Sequence, residues 1–359
     1  MTRFIQRMIA SAVLSISIVA AAVGPSYGQD KVVRIGFQKY GKLVLLKSKG
    51  TLEDKLKAAG YKVVWTEFPS GPPLLEALNV GAIDFGHAGE APPIFGQAAG
   101  APFLYVAHEP PAPEGEAILV PRESPIKTVA DLRGKKVGLP EYQLTANVWA
   151  RSILEDDYGV KPSDIHWIRA GIEDAGRPEK ISIKLPSNVK LEDGPPGKSS
   201  SQLLAEGAID GFIAPRPPSL PKTTPNVGWL FPDPTAAAKD YFKRTGIFPI
   251  MHLVGVRKTL AEQHPWLPGA VYKAFQDAKT NALELLSDTS ATKVTLPFVE
   301  ERLKEARELM GEDFWSYGLK TNRKTLETFL RHHHAQGLSS REVKPEELFH
   351  PGTHEAFSL

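Results

Sequence analysis

Leu74–Gly86 reads LLEALNVGAIDFG, and Leu203–Arg216 reads LLAEGAIDGFIAPR. Each stretch carries a leucine-rich helical run followed by Gly-Ala-Ile-Asp, at Gly81–Asp84 in the first copy and Gly207–Asp210 in the second. Glycine adopts without steric cost the left-handed backbone that stops a helix. The β-branched isoleucine suits the sheet that it enters. Aspartate at the strand start is a turn-capping residue, and that is the role expected of Asp84 and Asp210. One such helix–turn–strand unit is common in α/β proteins. Two of them, in separate halves of a chain, predict two similar α/β domains.

The flanking sequence extends the same alternation. Val32–Gly36 is a first strand, and Leu43–Gly60 has helical spacing and ends in glycine. Tyr61–Glu67 alternates as a strand, Pro73–Val80 is helical and Ala82–Phe85 is a short strand. Strand–helix alternation of this kind predicts a largely parallel sheet. A second domain opens near Thr128 with a short capped helix, a glycine turn and the strand Lys136–Leu139. A helix follows from Thr145 to Tyr158, closed by Gly159 and Pro162. Proline-rich Ala107–Gly115 is the expected first crossing between halves, and the strand Phe248–Val256 the return. The expected lobes are therefore 29–110 with 253–359, and 111–252. Arg177–Ser201, rich in Pro, Gly, Lys and Ser, reads as surface loops. Three helices, Trp266–Leu286, Leu296–Met310 and Arg323–His334, complete the chain.

A length of 359 residues accommodates two domains. There is no cysteine, which excludes disulfides, thiolate nucleophiles, iron–sulfur clusters and thiolate zinc sites. Lysine plus arginine number 43 against 41 acids, so no bulk positive field points to nucleic acid. Met1–Gly28 reads as a secretory signal peptide. Arg3 and Arg7 form its basic start, Met8–Gly24 is uncharged and apolar, and Ser26 and Gly28 are small residues before a cut at Gln29. Loss of those two arginines would leave the mature chain with no net side-chain charge. An exported, freely soluble protein is expected, without a lipid anchor.

In open α/β sheets, ligands bind beyond the carboxyl ends of the strands, where helix N-termini favour anions. Three segments fit that position: Gln38, Lys39 and Tyr40 after the first strand; His87–Pro93, containing Gly89 and Glu90; and Glu141, Tyr142, Gln143 and Thr145 before the second domain's helix. Thr145 serves equally as an N-cap and as an anion donor. Lys39 has solvation, and Glu90 helix capping, as the duller explanation. Arg216 follows an apolar strand and precedes two prolines; its guanidinium can grip a carboxylate or a sulfonate bidentately, or pair between domains. His252 lies in the return strand, as a buried hydrogen-bonded histidine or a ligand contact. His332-His333-His334 cannot share one helix face, so a surface helix end is expected there rather than a metal site. No GxSxG, HExxH, P-loop or GxGxxG stands in a usable context.

On these residues the chain resembles two families. RIGFQKYG (Arg34–Gly41), the run Thr66–Pro102 and YVAHEP (Tyr105–Pro110) are similar to periplasmic alkanesulfonate-, nitrate- and taurine-binding proteins of ABC transporters. DLRGKKVGLPEYQLTANVWARSILEDDYGV (Asp131–Val160), GRPEK (Gly176–Lys180), IDGFIAPRPPS (Ile209–Ser219), YFKRTGIFPIMH (Tyr241–His252) and Thr321–Ser339 resemble 4,5-dihydroxyphthalate decarboxylases. The first resemblance implies a type II periplasmic-binding-protein fold, two similar α/β lobes with a ligand cleft between them, and contacts from Gln38, Lys39 and the Gly89-Glu90 turn. The second implies the same fold adapted to an aromatic dicarboxylate, with Glu141–Gln143, Arg177, Arg216 and His252 near the ligand.

Together they imply a periplasmic solute-binding protein for an organic anion that closes its lobes on the ligand and docks on an inner-membrane permease. Tyr40 or Tyr142 would stack on an aromatic ligand body. The alternative is a decarboxylase acting on an aromatic dicarboxylate. No cofactor, metal or nucleic acid is expected, and the protein is expected to be monomeric.

Overall fold

The computed structural model describes residues 31–38, 43–109, 117–175, 179, 183–215, 226–288 and 296–354. The proposed leader and cleavage site, most of the Ala107–Gly115 crossing, and Lys39, Tyr40, Arg177 and Arg216 lie outside them.

The strands form two sheets. The first holds β1 (Lys31–Phe37), β2 (Tyr61–Glu67), β3 (Phe85–Gly89), β4 (Phe103–Glu109) and β11 (His252–Arg257), in the order β2-β1-β3-β11-β4. The second holds β5 (Ala117–Pro121), β6 (Lys136–Leu139), β7 (His166–Arg169), β8 (Lys190–Asp193), β9 (Gly211–Ala214) and β10 (Val227–Trp229), in the order β10-β5-β9-β6-β7-β8. Read from the other edge, the second order is β8-β7-β6-β9-β5-β10. It matches the first strand for strand, with β8 added at one edge. The directions match as well: β2-β1-β3 and β7-β6-β9 are parallel, and β11 and β5 are the antiparallel strands beside them.

The two sequence copies hold matching positions. Helix α3 (Gly71–Asn79) precedes β3, and α6 (Ser200–Ala205) precedes β9. Gly81 and Gly207 take φ of 76° and 73°. The next two N–H groups turn back onto Ala77 in one copy and Leu203 in the other. The aspartates do more than cap these turns. Asp84 donates its N–H to the Arg34 carbonyl, and its carboxylate accepts the Arg34 N–H at 2.8 Å. Asp210 makes the same pair of bonds with Lys136. Each aspartate therefore bridges to the neighbouring strand, because its own turn's N–H groups are already bonded. Since β3 begins only at Phe85, residues 82–84 form the turn and clamp rather than the strand expected there.

Asp84 also gathers two cations, Arg34 Nη2 at 2.8 Å and Arg257 Nη2 at 2.7 Å, so one carboxylate joins β1, β3 and β11. These arginines hold its carboxyl below the usual range against the opposing effect of burial.

The remaining helices are α1 (Leu43–Lys49), α2 (Thr51–Ala58), α4 (Ala91–Ala98), α5 (Thr145–Tyr158), α7 (Pro234–Thr245), α8 (Lys258–Gln263), α9 (Trp266–Ser287), α10 (Val299–Met310), α11 (Leu319–Ala335) and α12 (Pro345–Leu348). The single helix expected over Leu43–Gly60 is two, because Gly50 adopts φ 66° between them. Arg177–Ser201 is more than surface loops: it contains β8 and the start of α6, and Ile183, Leu185, Val189 and Leu191 pack on the core. No described helix is long and apolar enough to cross a membrane.

The main core crosses from one sheet to the other. Ile94, Tyr105 and Leu253 from the first side join Val137, Trp149 and Trp167 from the second, with Phe329 and Leu330 of α11 among them. Helix α11 packs along α5. The triple histidine lies in this seam rather than at a surface helix end. His332 and His333 are buried, and His332 Nε2 lies 2.9 Å from Asp156 of α5. His333 rests edge-on against Phe95 at 4.7 Å, and burial holds its pKa at about 3, so its ring is neutral.

Asp84→Asn removes the charge that both arginines face. At pH 7 we expect a loss of about 2–4 kcal/mol, below the full cost of breaking a buried pair because both arginines are partly exposed. A carboxyl with a lowered folded pKa stabilises above its unfolded value near about 4 and loses that contribution as pH falls through the folded value. Urea unfolding should therefore show the variant's deficit shrinking between about pH 5 and pH 3. A deficit independent of pH would contradict the charge assignment. Asp210→Ala, which loses one backbone partner, should cost only about 1 kcal/mol.

Candidate functional site

The carboxyl ends of β1, β3 and β6 carry the candidate residues, and the structure brings the latter two loops into contact. Gln38, just past β1, donates from Nε2 to the His87 carbonyl at 2.8 Å, tying the ends of β1 and β3. His87, Ala88 and Gly89 are the last residues of β3 rather than a free loop. His252 opens β11 opposite Gly89, and its ring stacks on His87 with centroids 4.8 Å apart.

Thr145 is the first residue of α5 and not its N-cap, a position held by Leu144. Its hydroxyl caps a helix of the other half: Oγ1 accepts the Ala91 N–H at the start of α4, at 3.0 Å. Gly89 permits this approach, since a Cβ there would sit 2.8 Å from Thr145 Oγ1. Helix α5 itself starts with no side-chain cap, so its positive end is open to an acceptor.

Glu90 holds the N-cap position of α4, but its side chain makes no cap bond. It is fully buried, its backbone N–H bonds the Met251 carbonyl at 3.0 Å, and its Oε2 accepts the Trp149 indole N–H at 3.1 Å. The same indole N–H lies 2.8 Å from the Ile250 carbonyl. Glu90 Oε1 has no partner among the described residues. Burial pushes this carboxyl well above its usual range, which favours the protonated form. Buried Tyr105 is pushed up by burial and by Glu90.

Glu141, Tyr142 and Gln143 form the loop between β6 and α5, and all three are buried. Asn147 Nδ2 donates to the Glu141 carbonyl at 2.5 Å. Tyr142 cannot stack on a ligand: it is fully buried, and the Arg151 guanidinium covers its ring at 3.6 Å from the centroid. Gln143 is 5% exposed, yet neither its Nε2 nor its Oε1 finds a partner among the described residues. A buried amide with both ends unsatisfied is unusual in a folded protein and normal where a ligand completes the bonding.

Four residues of this region carried no signal in the sequence reading. Trp149 and Arg151 lie on the buried face of α5; the arginine among apolar positions (Val148, Trp149, Leu154) was the available clue. Glu179 accepts the Tyr142 N–H at 2.6 Å, and Gln336 accepts from Arg151 at 2.8 Å. Both come from distant segments with no periodic pattern of their own. No group of three or more metal-ligating side chains occurs among the described residues.

The Gly89–Thr145 contact can be tested by a double-mutant cycle. Gly89→Ala should cost about 1–3 kcal/mol through overpacking, and Thr145→Ala should relieve most of that clash. The double variant should then be more stable than the sum of the single losses by about 0.5–3 kcal/mol in urea unfolding. Strictly additive losses would show that the two residues do not touch.

The family model for the periplasmic substrate-binding protein of phosphonate ABC transporters matches residues 51–176. The 4,5-dihydroxyphthalate decarboxylase of Comamonas testosteroni is 57% identical over 244 residues, which are 68% of this chain and 74% of that protein. The periplasmic aliphatic sulphonate-binding protein SsuA of Escherichia coli shares the fold over 92% of this chain and 95% of its own, at 25% identity and a TM-score of 0.57. The alkanesulfonate-binding SsuA of Xanthomonas axonopodis pv. citri, solved with MOPS bound, covers 89% of this chain and 98% of its own at 27% identity and a TM-score of 0.51. Two sheets of matching strand order and these likenesses lead to one conclusion: the chain belongs to the family of the Comamonas testosteroni relative named 4,5-dihydroxyphthalate decarboxylase, and it has the two-lobed α/β fold of the periplasmic sulfonate-binding proteins.

Proposed function

We propose that this protein is an exported solute-binding component of an ABC importer that captures an organic anion between its two sheets. The observation that carries this reading is the β6–α5 loop. It joins an uncapped helix N-terminus to a buried Gln143 amide with both ends unsatisfied. Such a surface suits an acid group, sulfonate or carboxylate, and the relatives' own ligands are of that class. Gln38, Gly89, Thr145 and His252 stand at the same strand ends, and Lys39, Tyr40 and Arg216 are proposed to complete the site.

The proposed lobes are 29–110 with 253–359, and 111–252. The apolar seam of Ile94, Trp149, Phe329 and Leu330 then lies on the hinge side, since parting it would expose core surface. Closure would occur at the opposite rim. Cleavage after Gly28 and docking of a monomer on an inner-membrane permease belong to the same proposal.

The second reading is decarboxylation of an aromatic dicarboxylate. The highly identical relative favours it, and so does a buried carboxyl, Glu90, kept in its protonated form with one oxygen unpartnered. Proton delivery to a carbanion-like centre needs such a group.

Ethanesulfonate, phthalate and 4,5-dihydroxyphthalate separate the two readings. A binder at 100 times its dissociation constant gains about 2.7 kcal/mol and a higher melting temperature, with no CO2 released. Multiple-turnover CO2 release from 4,5-dihydroxyphthalate would overturn the binder reading. Gln143→Ala should weaken the bound anion by about 1.5–3 kcal/mol in calorimetry, the range for a hydrogen bond to a charged group.

A further inference from the structure

Arg151 is fully buried, and among the described residues no carboxylate forms an ion pair with it. A guanidinium does not lose its proton inside a protein, so burial leaves a full positive charge that calls for an anion. The contacts it does make are neutral. Nη2 donates to the Tyr142 carbonyl at 2.6 Å and Nε to Gln336 Oε1 at 2.8 Å. The plane lies on the Tyr142 ring and 5.8 Å from the centre of Trp167. Nη1 has no partner. Glu179 is the acid whose charge reaches Arg151, but it makes no ion pair with it: its Oε1 accepts the Tyr142 N–H at 2.6 Å and lies 3.9 Å from Arg169 Nη1, a second cation that shares it. Burial raises the pKa of Glu179, against the lowering by the Tyr142 N–H and Arg169.

The position of this charge matters as much as its isolation. Arg151 lies in the second turn of α5, and helical side chains lean toward the N-terminus. Its guanidinium therefore reaches the carbonyl of Tyr142, three residues before the helix begins. The Tyr142 residue is held on both sides, by Glu179 at its N–H and Arg151 at its carbonyl. The unpaired cation, the uncapped positive end of α5 and the unsatisfied amide of Gln143 all meet at this one loop.

We propose that the missing counter-ion of Arg151 is the ligand itself, an organic anion whose acid group lies against Tyr142–Thr145. Arg151 is then a positioning residue: it sets the loop and supplies, from beneath Tyr142, the positive charge that selects an acid over a neutral solute. This rests on the reading of the protein as an anion binder. It explains how a chain with nearly balanced charge can bind an anion, because one unpaired buried cation in a low-dielectric seam acts more strongly than surface charge.

The test compares wild type, Arg151→Lys and Arg151→Gln by calorimetry with phthalate and with ethanesulfonate. Lysine keeps the charge and loses the fork; glutamine removes the charge. We expect the lysine variant to bind within about threefold of wild type and the glutamine variant to bind at least roughly tenfold more weakly. The ligand-free glutamine variant should melt no lower than the lysine variant, because replacing a buried unpaired charge with a neutral group carries little cost. Equal binding by wild type and the glutamine variant overturns the proposal. So does an equal loss in both variants, which marks a clamp that needs only the fork. If the glutamine variant does not fold, guanidinium NMR of arginine-labelled wild type decides: phthalate must shift the Arg151 resonances, and unmoved resonances overturn the proposal. Absence of any anion binding by wild type overturns the anion-binder reading itself, and this inference with it.

Discussion

The N–H groups of Arg34 and Lys136 each donate to an aspartate carboxylate that arrives from a crossover connection, and the layout of both sheets follows from this clamp. It sets which residue of β1 faces which residue of β3, and likewise for β6 and β9. With those pairs in register, Gly36 and Gly138 lie against Ile83 and Ile209, where a side chain would collide. The glycine, the isoleucine and the aspartate of the repeat thus act on one junction. The strand ends of both sheets are held in place as a result, and those ends carry the candidate site.

The two halves are joined by unequal means. On one flank the contact is apolar and continuous, through Trp149, Phe329 and Leu330. At the strand ends it is polar and sparse: one threonine hydroxyl caps the other half's helix, and one indole N–H lies between a buried carboxyl and a carbonyl. Apolar burial is non-directional and costly to undo, whereas single hydrogen bonds exchange readily with a ligand or water. This asymmetry is what a closing cleft requires. It also places Glu90 deep in the seam, where its carboxyl serves the contact between halves rather than the open surface.

Much of this architecture was legible in the chain. The repeat predicted two similar domains, and β2, β6 and α5 lie where periodicity and the glycine stops placed them. The strands β4, β5, β7, β8 and β10 were not anticipated; apart from seven-residue β4, each has only three to five residues, too few to carry a periodic signal. Gly50 divides a helix that the apolar spacing alone presents as continuous. The loops after β3 and β6 were singled out as candidate ligand loops from their position beyond the strands. The roles of Thr145, Glu90 and Tyr142 within them were not, since each is decided by a partner from the other half: Ala91, Trp149 and Arg151.

By itself the sequence determined the α/β class, the twofold repeat and the absence of any thiol chemistry. These follow from local rules, namely side-chain periodicity, backbone freedom at glycine and residue counts. The tertiary structure alone decided which polar groups are satisfied. Arg151 and Gln143 look ordinary in the chain, and burial is what leaves the one without an ion pair and the other without a side-chain hydrogen bond among the described residues. Burial of that kind arises where β7, α5 and α11 converge from distant parts of the sequence, and no local pattern encodes that convergence.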